Sequence, residues 1–131
     1  MKAVLVALNA KYIHSNLGVY CLYAYSRKKG ISSDELVYRE FTINQEMDDI
    51  LGALYKEKPD LIISCGAAVA VPFFYIGKMM GAKLVYIEVF DRIDKPTMTG
   101  KMVYPIVDKF VVQWEEQKKV YPKAVNLGSI F

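Results

Sequence analysis

The stretch from Pro59 to Asp91, PDLIISCGAAVAVPFFYIGKMMGAKLVYIEVFD, limits the possible folds of this chain more than any other. Leu61-Ile62-Ile63 is an apolar run without alternation, the pattern of a parallel strand covered on both faces. Ser64-Cys65-Gly66-Ala67-Ala68 are small, so the backbone can turn sharply there into a helix. Val69 to Met80 is long enough for three helical turns, with Pro72 near the first turn and Gly81 as a stop. Lys83 to Glu88 returns as a second strand. A strand, a crossover helix and a parallel strand make a right-handed unit, and open sheets of this kind keep their sites at the carboxyl ends of the strands.

The same two periods organise the rest. Lys2 to Leu8 is a continuous apolar strand, followed by the polar loop Asn9 to Asn16 with Ser15 as helix cap. Leu17, Tyr20, Cys21 and Ala24 then define one helical face, closed by Arg27-Lys28-Lys29 and Gly30. Glu35 to Thr42 mixes apolar and polar residues on both faces, as in an edge strand. Asn44 is placed to cap a second helix whose inner face is Met47, Ile50, Leu51 and Leu54. Beyond Asp91, Thr97 or Thr99 caps a short helix running towards Tyr104. Lys109 to Gln113 is a fifth strand, Trp114 to Tyr121 a short helix, and Val125 to Phe131 a last short strand or a tail. Strands and helices alternate throughout. The expected fold is a single three-layer α/β domain over residues 1–131. Its parallel five-stranded sheet has the order 2-1-3-4-5, which is flavodoxin-like or, more broadly, Rossmann-like.

In that order the switch point lies between strands one and three. The crevice residues are therefore Asn9, Lys11, His14 and Ser15 from one loop and Gly66, Ala67 and Ala68 from the other. Free backbone N–H groups at the second turn suit an anion, although a tight turn that needs small residues explains the same sequence. There is no GxGxxG, Walker loop, CxxC or HExxH. His14 is the only histidine and has no partner nearby in sequence, so no catalytic residue and no metal site is assigned. Glu88, Asp91 and Asp94 follow a strand's carboxyl end, where catalytic carboxylates sit, but also where solvated loop acids and caps are common. Charge is balanced, with 8 basic and 8 acidic residues up to Asp60 and 9 and 6 beyond it, which leaves no nucleic-acid footprint. Cys21 and Cys65 lie inside apolar runs and read as buried free thiols of a reducing, cytoplasmic compartment. The helix over 69–80 is apolar nearly all round, which means burial on two sides, weak homodimerisation or contact with a membrane surface.

Two segments resemble two families. VALNAKYIHSNLGVYCLYAYS and FTINQEMDDILGALYKEKPD, up to about Pro59, resemble the cobalamin-binding domain of radical SAM enzymes. GAAVAVPFFYIGKMMGAKLVYIEVFDRIDKPTMTGKMVYP and VVQWEEQKKVYPKAVNLGSIF resemble the second half of the UDP-N-acetylglucosamine transferase subunits of the capsule and dolichol pathways. The second resemblance implies an acceptor-side, membrane-associated partner of a separate nucleotide-sugar-binding subunit. Each departs from its pattern. The transferase's Ser-Gly-Gly-His turn is replaced by Asn9-Ala10-Lys11-Tyr12, and His14 and Gly18 are one residue too far apart for the cobalamin motif.

Taken together, the resemblances imply an engineered chimera with a seam at 58–64. It would have no catalytic activity of its own, no required partner and no cofactor. The alternatives are a glycosyltransferase accessory subunit of polysaccharide biosynthesis, with Glu88, Asp91 and Arg92 near the donor or partner, and a cobalamin-binding module. A natural fusion or a natural subunit with a divergent N-terminus would also account for the two segments.

Overall fold

The computed structural model describes residues 1–9, 17–42, 45–64, 68, 70–89 and 93–128. It is an α/β fold in which β1 (Ala3–Asn9), β2 (Leu36–Thr42), β3 (Leu61–Ser64), β4 (Lys83–Ile87), β5 (Lys109–Val112) and β6 (Val125–Asn126) form one sheet. Their order is β2-β1-β3-β4-β5-β6. The expected order of five holds, and Val125–Asn126 adds a sixth, edge strand parallel to β5. Packing divides the chain into two compact units, Met1–Leu61 and Ile62–Phe131.

In the first unit β1 and β2 run parallel in register from Ala3↔Leu36 to Asn9↔Thr42, and Ala3 also pairs with Leu61. The start of β1 is clamped. The Lys2 amide donates to the Asp60 carboxylate at 2.7 Å, and the Asp60 amide donates to the Lys2 carbonyl at 2.9 Å. Helix α2 (Met47–Glu57) buries Ile50 and Leu54 as its period requires, while Met47 stays exposed. Its expected cap, Asn44, lies outside the described residues; Glu46 holds the cap position, without a side-chain bond. Lys58 ends the helix in the left-handed region at φ 46°, immediately before Pro59.

Helix α1 (Leu17–Lys28) departs from expectation. Tyr20, Cys21 and Ala24, placed inward by spacing, are exposed, and Cys21 is a free, exposed thiol rather than a buried one. Tyr23 is half-buried, as is Ser26; the Tyr23 ring lies 5.9 Å from that of Tyr38, with Tyr20 edge-on to the same ring at 6.3 Å. A single wide aromatic on β2 draws the helix to it and overrides the i, i+3, i+4 stripe.

The second unit holds α3 (Ala70–Met79) and α4 (Met98–Val103) with β4, β5 and β6. Phe74, Leu84, Tyr86, Val103 and Val112 are fully buried. The core is a chain of rings: Phe74 edge-on to Tyr86 at 6.0 Å, Tyr86 to Phe110 at 5.1 Å, and Phe110 to Tyr121 at 4.3 Å. Gly77 lets α3 approach the sheet closely. A methyl group there would run into Ile62 and lie 3.3 Å from Leu84. The start of this sheet is clamped like that of β1. The Asp108 amide donates to the Leu84 carbonyl at 2.9 Å, and the Leu84 amide returns a bond to the Asp108 carboxylate at 2.8 Å. That returned bond, with Lys78 beside it, holds the Asp108 carboxyl below its ordinary range. The expected α-helix at 114–121 is a 3-10 helix over Glu115–Lys119. The helical piece is only five residues long and lies just before Pro122, and the tighter form suits so short a piece.

One ionic feature stands out in the first unit. Glu57 is buried and accepts from Lys2 Nζ at 2.8 Å and from Arg39. Its carboxyl is held below the ordinary value of 4.5, first by the Lys2 bond, with Arg39 adding to it against the cost of burial. A carboxyl depressed in the folded state contributes stability above its unfolded pKa and loses it as pH falls through its folded one. Denaturant midpoints should therefore fall as pH drops below 4.5, and Glu57→Gln should shrink that dependence. Because both cations are partly solvated, the substitution should cost about 1 kcal/mol near neutrality. An unchanged pH slope in the variant would refute this assignment.

Candidate functional site

Strand β4 delivers Glu88 one residue past its carboxyl end, and the side chain is 0% exposed. Sequence alone favoured solvated loop acids here, and for Glu88 the structure shows the opposite. The Glu88 amide donates to the Val111 carbonyl of β5 at 2.8 Å, which turns the side chain inward. Its Oε1 accepts from the Val89 amide at 2.9 Å, and its Oε2 from the Tyr121 hydroxyl at 2.6 Å. The Thr97 hydroxyl lies 3.0 Å from both oxygens and itself accepts from the Gly100 amide at 2.9 Å, capping α4. Of the two expected caps, Thr97 is the one used, and Thr99 is buried. No ion pair to Glu88 is formed among the described residues, so hydrogen bonds alone satisfy the buried group.

Two glutamines, one at the end of β5 and one in the 3-10 helix, complete the arrangement. The Gln113 side chain donates to the Glu88 carbonyl at 3.0 Å, and the Gln117 side chain donates to the Val89 carbonyl at 3.3 Å. Gln117 Oε1 accepts from the amides of Gln113 and Trp114 at 2.9 and 3.1 Å, a back-reaching cap for the 3-10 helix. Both glutamines are buried. The carboxyl ends of β4 and β5, the start of α4 and Tyr121 are thus tied into one buried polar cluster. It contains no nucleophile–base pair; it fixes backbone positions at the end of the sheet where ligands bind.

Burial, followed by the bond to Glu88, raises the Tyr121 phenol far above its ordinary value of 10.0. A group whose pKa is raised on folding contributes stability below its unfolded pKa and loses it as pH climbs above that value.

Of the crevice residues drawn from the sequence, Asn9 ends β1 and pairs with Thr42, and Ala68 is exposed in a turn where its carbonyl accepts from Val71 at 3.1 Å. Lys11, His14, Ser15, Gly66 and Ala67 lie outside the described residues, as do Cys65, Asp91 and Arg92. Asp94 is exposed. Among the described residues no three His, Cys, Asp or Glu side chains converge as a metal site would require. Gln113, Gln117 and Tyr121 were not singled out by the sequence. The available signal was a polar residue closing each of two apolar runs, Glu88 after LVYI and Gln113 after FVV.

Two substitutions probe the cluster. A methyl group at Gly100 would overlap Glu88 Oε2 and Tyr121 Oη and lie 2.9 Å from Thr97 Oγ1. Gly100→Ala should therefore cost about 1–3 kcal/mol by chemical denaturation. Tyr121→Phe should cost about 1–3 kcal/mol, since it removes the shortest bond to the buried Glu88 carboxyl, and should weaken the loss of stability above pH 10. Wild-type stability in both variants would show that the cluster is not closed as described.

The comparisons with known proteins bear on the whole of this unit. The family model described as "Oligosaccharide biosynthesis protein Alg14 like" matches residues 22–130. A human protein named UDP-N-acetylglucosamine transferase subunit ALG14 is 34% identical over 83 residues, covering 59% of this chain and 38% of the relative. A Candida albicans protein of the same name is 30% identical over 122 residues, covering 79% and 56%, and one from Saccharomyces cerevisiae is 47% identical over 38 residues, covering 29% and 16%. The chain spans at most just over half the length of these relatives. No solved structure matches it. These findings correct four expectations. The match runs unbroken through 58–64, so the engineered chimera is overturned, and residues 22–59 belong to the same family as residues 60–130 rather than to a cobalamin-binding parent. The relatives it matches are named as subunits, so the expectation that no partner is required is not supported. Nor does the cytoplasmic assignment stand, because the resembled family that implied membrane association is the one matched. Among the described residues no helix is long and apolar enough to cross a membrane. From residue 22 to residue 130, with the Glu88 cluster inside those bounds, the chain belongs to the Alg14-like family of oligosaccharide biosynthesis proteins.

Proposed function

We propose that this chain is the acceptor-side subunit of a UDP-N-acetylglucosamine transferase and works with a separate nucleotide-sugar-binding subunit in building a lipid-linked oligosaccharide. The observation that carries the proposal is the family match over 22–130, which encloses the whole buried cluster. The geometry agrees with a positioning role. The polar side chains of Glu88, Thr97 and Tyr121 are committed to one another rather than aimed outward. A sheet end held by such internal bonds presents backbone and loops to a ligand while the donor chemistry comes from elsewhere. The replacement of the glycine-rich turn by Asn9-Ala10-Lys11-Tyr12 lies N-terminal to the matched residues and does not bear on them.

The test is reconstitution. The chain is co-expressed with a nucleotide-sugar-binding subunit, and transfer from labelled UDP-N-acetylglucosamine to a polyprenyl diphosphate-linked acceptor is measured in detergent. Copurification and transfer are expected with both chains present, and neither chain alone should transfer. Transfer by the second subunit alone at the same rate, or failure of the two chains to copurify, would overturn the proposal.

A further inference from the structure

The backbone leaves β4 through a run of bonded peptide groups. The Glu88 amide donates to the Val111 carbonyl at 2.8 Å. The peptide unit that joins Glu88 to Val89 is bonded on both sides. Its carbonyl accepts from the Gln113 side chain at 3.0 Å, and its amide donates to Glu88 Oε1 at 2.9 Å. The next carbonyl, that of Val89, accepts from the Gln117 side chain at 3.3 Å. The Glu88 carboxyl group also takes the Thr97 hydroxyl, 3.0 Å from each oxygen, immediately before α4 begins at Met98. One side chain therefore holds both the start and the end of the connection from β4 to α4. The Tyr121 hydroxyl, at 2.6 Å, ties that side chain to the aromatic core.

Stability alone does not call for this arrangement. Removing one partner from a buried polar set is costly, but replacing the whole set by apolar side chains of similar shape is often neutral or stabilising. What apolar packing does not supply is direction. Hydrogen bonds fix the orientation of a peptide plane, because they weaken steeply as the donor turns away. Here the oriented planes lie at the carboxyl end of a parallel sheet, where such folds bind their ligands.

We infer that Glu88 is a positioning residue for sugar transfer. Through the Val89 backbone and Thr97 it sets the carboxyl end of β4 and the start of α4 in the geometry that the acceptor requires. The inference deepens the transferase reading and rests on it. The carboxyl group is fully buried, so it acts on a substrate only through the groups it holds. Loss of orientation of that kind lowers turnover more than it weakens binding.

The experiment is steady-state kinetics of the reconstituted pair of subunits, with the polyprenyl diphosphate-linked acceptor and UDP-N-acetylglucosamine varied in turn. Glu88→Gln keeps the size of the side chain and removes the carboxylate. It should lower kcat about tenfold or more and leave both KM values within about threefold of wild type. Thr97→Val should act in the same direction, and Thr97→Ser, which keeps the hydroxyl, should recover kcat to within about twofold of wild type. Glu57→Gln, which loses an ion-paired carboxylate at the opposite ends of the strands, controls for lost stability and should keep the wild-type kcat. Circular dichroism and copurification establish that each variant is folded and assembled, and the two Thr97 variants decide the matter if Glu88→Gln does not fold. Wild-type kcat in Glu88→Gln or Thr97→Val would overturn the inference, as would a Thr97→Ser as slow as Thr97→Val or an equal loss in Glu57→Gln. Each of these leaves the transferase reading standing, whereas no transfer by the wild-type pair would overturn that reading and the inference with it.

Discussion

A carboxyl group with no exposure to water must find every hydrogen bond inside the protein, and Glu88 does so without a cation. Each partner it recruits has a second task. Thr97 bonds Glu88 and caps α4 through the Gly100 amide. Tyr121 bonds Glu88 and stacks its ring 4.3 Å from Phe110 in the core. Gly100 has no side chain because the space is already taken by Glu88 and Tyr121. Loss of any one member removes a bond from another buried polar group, so the contributions are coupled and not additive. The end of β4, the start of α4 and the segment after the 3-10 helix are held together by that coupling.

The two ends of the strands are treated differently. At the amino ends, exposed or half-exposed acids clamp neighbouring strands through reciprocal backbone bonds, Asp60 with Lys2 in one unit and Asp108 with Leu84 in the other. Glu57, with Lys2 and Arg39, reinforces the first of these with ion pairs that water partly screens. Such clamps set register and add modest stability. At the carboxyl ends of β4 and β5, water is excluded and the polar groups are neutral partners of one carboxyl group. That division fits a parallel sheet, which binds ligands at its carboxyl ends and has little use for a fixed geometry at the other.

The fold was legible in sequence because its signals are local: continuous apolar runs for β1, β3 and β4, glycines at Gly30 and Gly81 with φ of 92° and 85°, and the Thr97 cap. The face of α1 was not, because Tyr20, Cys21 and Ala24 satisfy a helical period that Tyr38, on a strand distant in sequence, overrules. The cluster was half legible. Glu88 was marked by its position, but its burial depends on Tyr121, 33 residues away, and no local pattern announces that contact. The suspected seam illustrates a different limit. The chain does divide into compact units between Leu61 and Ile62, but the family match crosses that point, so the division is one of packing within a single family.

Helix α3 shows why composition alone left two explanations open. An apolar helix is buried on two sides or keeps one side for a partner, and Gly77 decides between them. Its missing side chain lets the backbone approach Ile62 and Leu84 closely, and this fixes which side of the helix faces the sheet. At about 100° per residue, Tyr75 and Met79 then lie about 200° around the helix from Gly77, on the side turned away. The close approach that buries Phe73 and Phe74 is therefore the same constraint that holds Tyr75 and Met79 outward. A larger residue at 77 would lift the helix and loosen both faces together. The inner packing and the outer apolar face are thus two consequences of one glycine.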